Sequence, residues 1–273
     1  VAEAAAQSDE ELLDRFQQSA FGYFLEQFNP DNGLVADTSR AGSPASIAVV
    51  GFARSCYPVG VERGWIARAD AAKRTLVTLR FFSNSRQCEQ ADGTGYKGFY
   101  YHFLDMKTGK RVWQSELLLI DTTLLLAGVL TASVYFSEDT PSENEIRERA
   151  EAIYRRIDWQ WACGGGYAAR GVPYGPDDGT IGPCASLPFA PELALPALRH
   201  FCACYPDMIR DSRLPSGSNP TLAGGSPSGG LDQGVLVLMI ENYRSGLIWK
   251  LMRRCPYIGD GLRRAGFTGG WLS

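Results

Sequence analysis

Residues 98–128 read GFYYHFLDMKTGKRVWQSELLLIDTTLLLAG, and the fold turns on how this stretch is divided. Its first half alternates Phe99, Tyr101 and Phe103 with Tyr100, His102 and Leu104, the period of short strands, and Lys107-Thr108-Gly109-Lys110 supplies a turn. Its second half opens a long apolar helix, expected over 116–136. Asp121 lies inside the run 117–126, where an unpaired carboxylate is costly. Such an acid is either hydrogen-bonded for structure or has chemistry to do. On a helix from this start Trp113 and Glu116 share a face. Asp121 then lies about 140° further round and about one and a half turns along, so both acids can border one cavity without touching.

Helical periodicity continues on both sides of this stretch. Ser8 and Glu11 form a capping box, after which Leu12, Leu13, Phe16, Ala20, Phe24 and Phe28 recur at helical spacing until Asn29-Pro30-Asp31-Asn32-Gly33 ends the run. Residues 46–57 form a small-residue helix suited to close packing. A third helix spans 68–83, with Ala72, Leu76, Leu79 and Phe82 on one side. An amphipathic helix spans 142–159, and further helices are expected at 191–204, 234–255 and 259–265. Residues 164–191 and 212–230 read as loop. No βαβ alternation, dinucleotide fingerprint, P-loop or internal repeat interrupts this pattern. Helix hairpins whose loops gather on one rim are the sequence form of an α/α toroid, and a generic all-α domain is the alternative.

The 273 residues are 45% hydrophobic with a net charge of −3. That is enough apolar material for a real core, and it leaves no basic field for nucleic acid. Seven cysteines form no CxxC pair, so neither a zinc site nor a full disulfide framework is expected, and no cofactor is implied. The run 117–136 approaches membrane-spanning length, but it carries Asp121, three threonines and Ser133. It reads as a buried helix rather than a membrane span. The opening VAEAAAQSDEE fits a mature form after signal removal or a fragment.

Five positions offer acids near aromatics. Glu116 is a candidate, or simply a helix-start acid favoured by the dipole. Asp121 is a candidate, or a buried structural hydrogen-bonder. Asp178 sits in D-D-G, itself a common turn. Asp232 is expected to cap the helix after it. Glu241 falls mid-helix, where Arg244 or Arg199 could pair with it as a purely structural link. His102 is a possible base or a packed ring. Hydrolysis of a glycosidic bond needs two carboxyl groups, roughly 6.5–9.5 Å apart in an inverting enzyme.

The strings themselves carry a resemblance. SIAVVGFARSCYPVGVERGW, the 98–128 stretch, IYRRIDWQW, YAARGVPYGPDDGTIGPCASLPFAPELALPALRHF, LDQGVLVLMIENYRSGLIWKLMRRCPYI and AGFTGGWL occur in one order over residues 8–273. Together they resemble the bacterial glucoamylase-like (glycoamylase) domain family, which includes endo-β-1,2-glucanases and a domain of cyclic β-1,2-glucan synthases. The resemblance implies an all-α, (α/α)6-toroid-like glycosidase fold. It implies metal-independent, inverting hydrolysis of β-glucan, a poly- or oligosaccharide substrate. The expected setting is periplasmic or secreted, with a cytoplasmic one as the alternative. Its motifs map catalytic acids onto Glu116, Asp121, Asp178 and Asp232. They map sugar contacts onto His102, Trp113 and Arg170, to which Tyr101 and Glu241 are added.

In that family a long central region separates the DWxW string from the ARGxP string. Here Trp161 runs directly into Ala162-Cys163-Gly164-Gly165-Gly166. The expectation is therefore one domain over 1–273, made of an N-terminal part (8–161) and a C-terminal part (166–273), with an incomplete toroid. The alternatives to a hydrolase are a non-catalytic sugar-binding remnant and a transglycosylating synthase domain.

Overall fold

The structure is a computed structural model that describes residues 8–90, 92–162, 181–204 and 228–272. Helix α1 (Asp9–Glu26) starts where the capping box places it. The Glu11 N–H donates to Ser8 Oγ at 3.2 Å, and the Ser8 N–H donates to Glu11 Oε2 at 2.8 Å. Its Leu12, Leu13, Phe16, Ala20 and Phe24 are buried. Phe28 lies beyond the helix, in a bridge to Val35.

Helix α2 (Ile47–Glu62) and helix α4 (Leu119–Tyr135) form the centre of the molecule. Their small residues let the backbones meet. A Cβ built on Gly51 would stand 2.3 Å from the Leu124 carbonyl oxygen, and one on Gly128 would stand 2.0 Å from that of Gly51. Tyr135, in the last turn of α4, donates its hydroxyl to Glu62 at 2.7 Å, so the two helices run parallel. Helix α9 (Gly230–Arg244) lies against the other side of α2. Gly230 abuts Val49, Gly234 abuts Phe52, and Glu241 pairs with Arg63. All three helices therefore begin at one end of the molecule and finish at the other.

Helices α3 (Arg68–Asn84) and α5 (Pro141–Arg155) pack on each other outside this layer, and α1 flanks α9. Ala72, Leu76, Leu79 and Phe82 of α3 are buried as the periodicity predicts. The chain continues through the single turn α6 (Trp159–Trp161), α7 (Ile181–Ser186), α8 (Pro191–Cys204), α10 (Leu247–Arg254) and α11 (Pro256–Arg264). Among the described residues the strands form two short antiparallel ladders. β1 (Ala45–Ser46) pairs with β4 (Phe103–Leu104), and β2 (Gly95–Tyr96) pairs with β3 (Phe99–Tyr100).

Three expectations need correction. The helix expected from Glu116 begins at Leu119, because the preceding segment is drawn alongside β3: the His102 N–H donates to the Glu116 carbonyl at 2.9 Å, and Tyr101 bridges Leu117. The helix expected over 234–255 is two. Gly246, at φ 67°, turns the chain left-handed, and its N–H closes on the carbonyls of Glu241 and Asn242. The stretch 164–191, read as loop, contains α7. Among the described residues no helix is long and apolar enough to cross a membrane.

Candidate active site

The starting end of the parallel helices carries the acids. Asp121 is the third residue of α4 and Asp232 the third of α9. Asp232 is thus inside the first turn rather than its cap, a position that Gly229 occupies. The loop holding Asp37 is tied to the same end, since the Gly230 N–H donates to the Asp37 carbonyl at 2.8 Å and Thr38 bridges Gly229.

His102 stands between two of these carboxylates. Its backbone is fixed on both sides, by its N–H to Glu116 and by the Ile47 N–H, which donates to its carbonyl at 3.2 Å. Its Nδ1 lies 3.1 Å from Glu116 Oε1 and its Nε2 lies 3.2 Å from Asp121 Oδ2. The second contact has ion-pair range but not hydrogen-bond alignment, and it leaves Oδ2 buried without an aligned donor among the described residues. Either neutral tautomer offers only one N–H to these two acceptors, and the imidazolium offers two. Phe103 stacks on the imidazole at 3.7 Å, and Thr122 Oγ1, beside Asp121, accepts the Tyr100 N–H at 3.1 Å.

The environments of the two acids differ. The Asp121 side chain is 11% exposed and that of Glu116 is 52% exposed. Burial pushes the Asp121 carboxyl above the usual range; His102 opposes this, while Glu116 and Asp37 add to it. Glu116 is held below its usual range, first by a hydrogen bond from its own backbone and then by His102 and Arg111, against a smaller effect of burial. Asp37 is also pushed up by burial, with His102 opposing.

Trp113 is the exposed aromatic of this region, 74% accessible and edge-on to Phe103 at 5.7 Å. It does not share a helical face with Glu116. Trp113 and Gln114 have φ of 55° and 54°, a left-handed pair that ends any helical path to Glu116. Consecutive left-handed residues other than glycine are strained, and such strain gathers at functional sites.

Two proposed sugar contacts are engaged elsewhere. Tyr101 is buried, donates its hydroxyl to the Cys88 carbonyl at 3.2 Å, and lies beneath the Arg111 guanidinium. Glu241 is 2% exposed and is taken up by Arg63 at 2.8 Å, Gln17 at 3.1 Å and Ser245 at 2.6 Å. It lies roughly 16 Å along α9 from Gly230, at the far end of the molecule. Asp178 and Arg170 fall outside the described residues. Sequence reading missed Asp37, whose signal was an acid at Asp37-Thr38-Ser39 in a loop joining two helices. Among the described residues no group of His, Cys, Asp and Glu has the arrangement to hold a metal ion.

The fold is mostly helical and toroid-type, with carboxylates gathered at one end of its parallel inner helices. Comparison with known proteins gives the same architecture. The family model described as "Glycoamylase: Putative glucoamylase" matches residues 130–256. The chain is 30% identical over 160 residues to the exo β-1,2-glucooligosaccharide sophorohydrolase (non-reducing end) of Parabacteroides distasonis; the match takes in 56% of this chain and 21% of that protein. This chain thus spans about a fifth of that relative's length. Its fold matches the endo-β-1,2-glucanase of Chitinophaga pinensis, solved with sophorotriose and glucose, with TM-score 0.79 and 16% identity over 98% of this chain and 100% of that one. It matches the β-1,2-glucanase of Parabacteroides distasonis with TM-score 0.80 and 18% identity over 94% of this chain and 60% of that one. The resemblance read from the sequence thus has its counterpart in a family model over residues 130–256 and in the fold of these structures.

Proposed function

We propose that this chain is a glycoside hydrolase-type domain that cleaves β-glucan, β-1,2-linked in its preferred form, by an inverting mechanism with two carboxyl groups. The observation that carries the proposal is the His102 bridge between Glu116 and Asp121, two acids whose environments push their acidities apart. That divergence is how one site keeps an acid and a base at the same pH. Asp121, whose carboxyl burial pushes up, is the group placed to deliver a proton to the glycosidic oxygen. Glu116, lowered and open to solvent, stays ionised and takes a proton from the attacking water. The imidazole lies between them, in contact with both, at 3.1 Å from Glu116 and 3.2 Å from Asp121. Asp232 is a further candidate acid at this end, Asp178 is one by the sequence resemblance alone, and Trp113 offers its face to a sugar ring. A polysaccharide substrate suits a periplasmic or secreted setting.

A second reading is a sugar-binding domain without turnover. The direct run from Trp161 into Ala162-Cys163-Gly164 favours it, because the resemblance implies a long intervening region there. One experiment separates the readings. Purified protein is incubated with linear β-1,2-glucan, β-1,3-glucan and α-glucan, and the products are sized and their first-formed anomer read by NMR. Shorter β-1,2-linked products of inverted configuration, lost in Asp121→Asn and Glu116→Gln, are expected. Binding without cleavage would leave the second reading, and cyclic or lengthened products would make the chain a transglycosylase. Full activity in Asp121→Asn would remove the site assignment.

A further inference from the structure

We propose that Asp37 is a third functional carboxylate of this site and that it binds a hydroxyl group of the sugar substrate. The inference rests on the glycosidase reading above. The backbone of Asp37 is fully committed. Its N–H donates to the Pro44 carbonyl at 2.8 Å, and its carbonyl accepts the Gly230 N–H at 2.8 Å. These bonds hold the residue at the start of α9, and the neighbouring bridge from Thr38 to Gly229 reinforces them. Only the side chain is left to do anything else.

That side chain is half-buried, and among the described residues no hydrogen-bond donor or cation is paired with it. The contrast with the structural acids is direct. Glu143 is matched to Arg68 at 2.8 Å, and Glu241 is matched to Arg63 at 2.8 Å. A partly desolvated carboxylate without a donor is an unfavourable arrangement that a fold keeps when a ligand completes it. The ionisable groups nearest in influence to Asp37 are His102 and Asp121 of the site itself. An ionised carboxylate is an acceptor only, so the ligand group it needs is a donor, and a sugar presents hydroxyl donors around its ring.

Binding of sophorotriose is measured by calorimetry in the Glu116→Gln background, where turnover is removed, with and without Asp37→Asn and Asp37→Ala. Thermal melts accompany each variant. A hydrogen bond to a charged group predicts a roughly ten- to hundredfold weaker Kd in Asp37→Ala and a smaller loss in Asp37→Asn, which keeps an acceptor oxygen, with melting temperature held. In the active background the same substitutions should raise KM. An unchanged Kd overturns the inference, as does weaker binding that appears only together with a collapsed melting transition. If the chain with native Asp37 binds no glucan, the glycosidase reading fails and Asp37 with it. That pattern differs from a binding-competent chain indifferent to residue 37.

Discussion

Gly51 of α2 and Gly128 of α4 meet backbone to backbone, with the Gly51 carbonyl oxygen standing 2.0 Å from where a Gly128 Cβ would be. No flexible side chain can yield there. Gly128→Ala must push the two helices apart, and with them the segment that sets His102 against Asp121. Overpacking of this kind costs roughly 1–3 kcal/mol, and a backbone-to-backbone clash belongs at the upper end. Urea unfolding should report a loss of about 3 kcal/mol, with reduced turnover in the fraction that remains folded.

Asp121→Asn should trade activity for stability. Burial raises the folded-state pKa of Asp121 above its unfolded value, so the folded protein holds this proton more tightly. The stability this gives is complete below the unfolded pKa and is lost as pH rises through the folded one. Asparagine removes that loss. Its melting temperature should exceed that of the native protein by more at about pH 7 than at about pH 4, while hydrolysis falls by roughly 10²–10⁴. Equal differences at both pH values would show that Asp121 is ionised without penalty.

Glu145 carries the opposite dependence. Arg80 and Arg149 hold its carboxyl down to about 2. Its contribution is present above the unfolded value near 4.5 and disappears as pH falls toward about 2. Acid unfolding of Glu145→Gln should therefore depend less steeply on pH across this window than that of the native protein, and the difference should shrink at high salt, because Arg80 is half exposed. Activity should not change.

Arg63→Met tests the far end of the molecule. It leaves the Glu241 carboxylate, only 3% exposed in its side chain, without its cation. Removing one partner of a buried pair costs roughly 3–5 kcal/mol; residual solvent at Arg63 and the bonds from Gln17 and Ser245 argue for about 3. Affinity for glucan should stay as it is. A selective loss of binding at constant stability would restore Glu241 as a sugar contact.

Gln114→Gly should stabilise the protein by about 1 kcal/mol, because glycine adopts φ 54° without penalty. Trp113→Ala should leave stability nearly unchanged and weaken glucan binding, as read by calorimetry. A binding constant unmoved by Trp113→Ala would remove it from the sugar-contact set.

The long helices were legible because local signals agreed with burial. The Ser8–Glu11 box and the Leu12, Phe16 and Ala20 face carry α1, and Ala72, Leu76, Leu79 and Phe82 carry α3. The errors fall where tertiary contacts override local preference. Residues 116–118 have helical composition, yet pairing with Tyr101 and His102 keeps them extended. That one difference changes how Glu116 and Asp121 relate. Periodicity put them on one helix, whereas the fold sets them on either side of an imidazole contributed by a different segment. Residues 245–246 are a missed stop, although Gly246 was the available signal. Asp37 escaped because an acid in a loop carries no periodic signature; only its bond to Gly230 shows which end of the molecule it joins.

The common direction of α2, α4 and α9 gathers three helix starts at the end of the molecule that carries the acids, while α1 and α3 run the opposite way. Each helix start presents roughly half a positive elementary charge from its free amide groups, and each helix finish presents roughly half a negative one. Asp121 and Asp232 lie within the first turn of their helices, where that field favours a carboxylate. Arg63 and Arg244 lie at the finishing ends of α2 and α9, where it favours a guanidinium. The backbone alone thus offsets part of the repulsion among crowded acids, and it does so only while these helices stay parallel. A rearrangement that reversed one of them would turn its field against the carboxylates, so the fold's handedness of chain direction is itself a part of the site's acid–base balance.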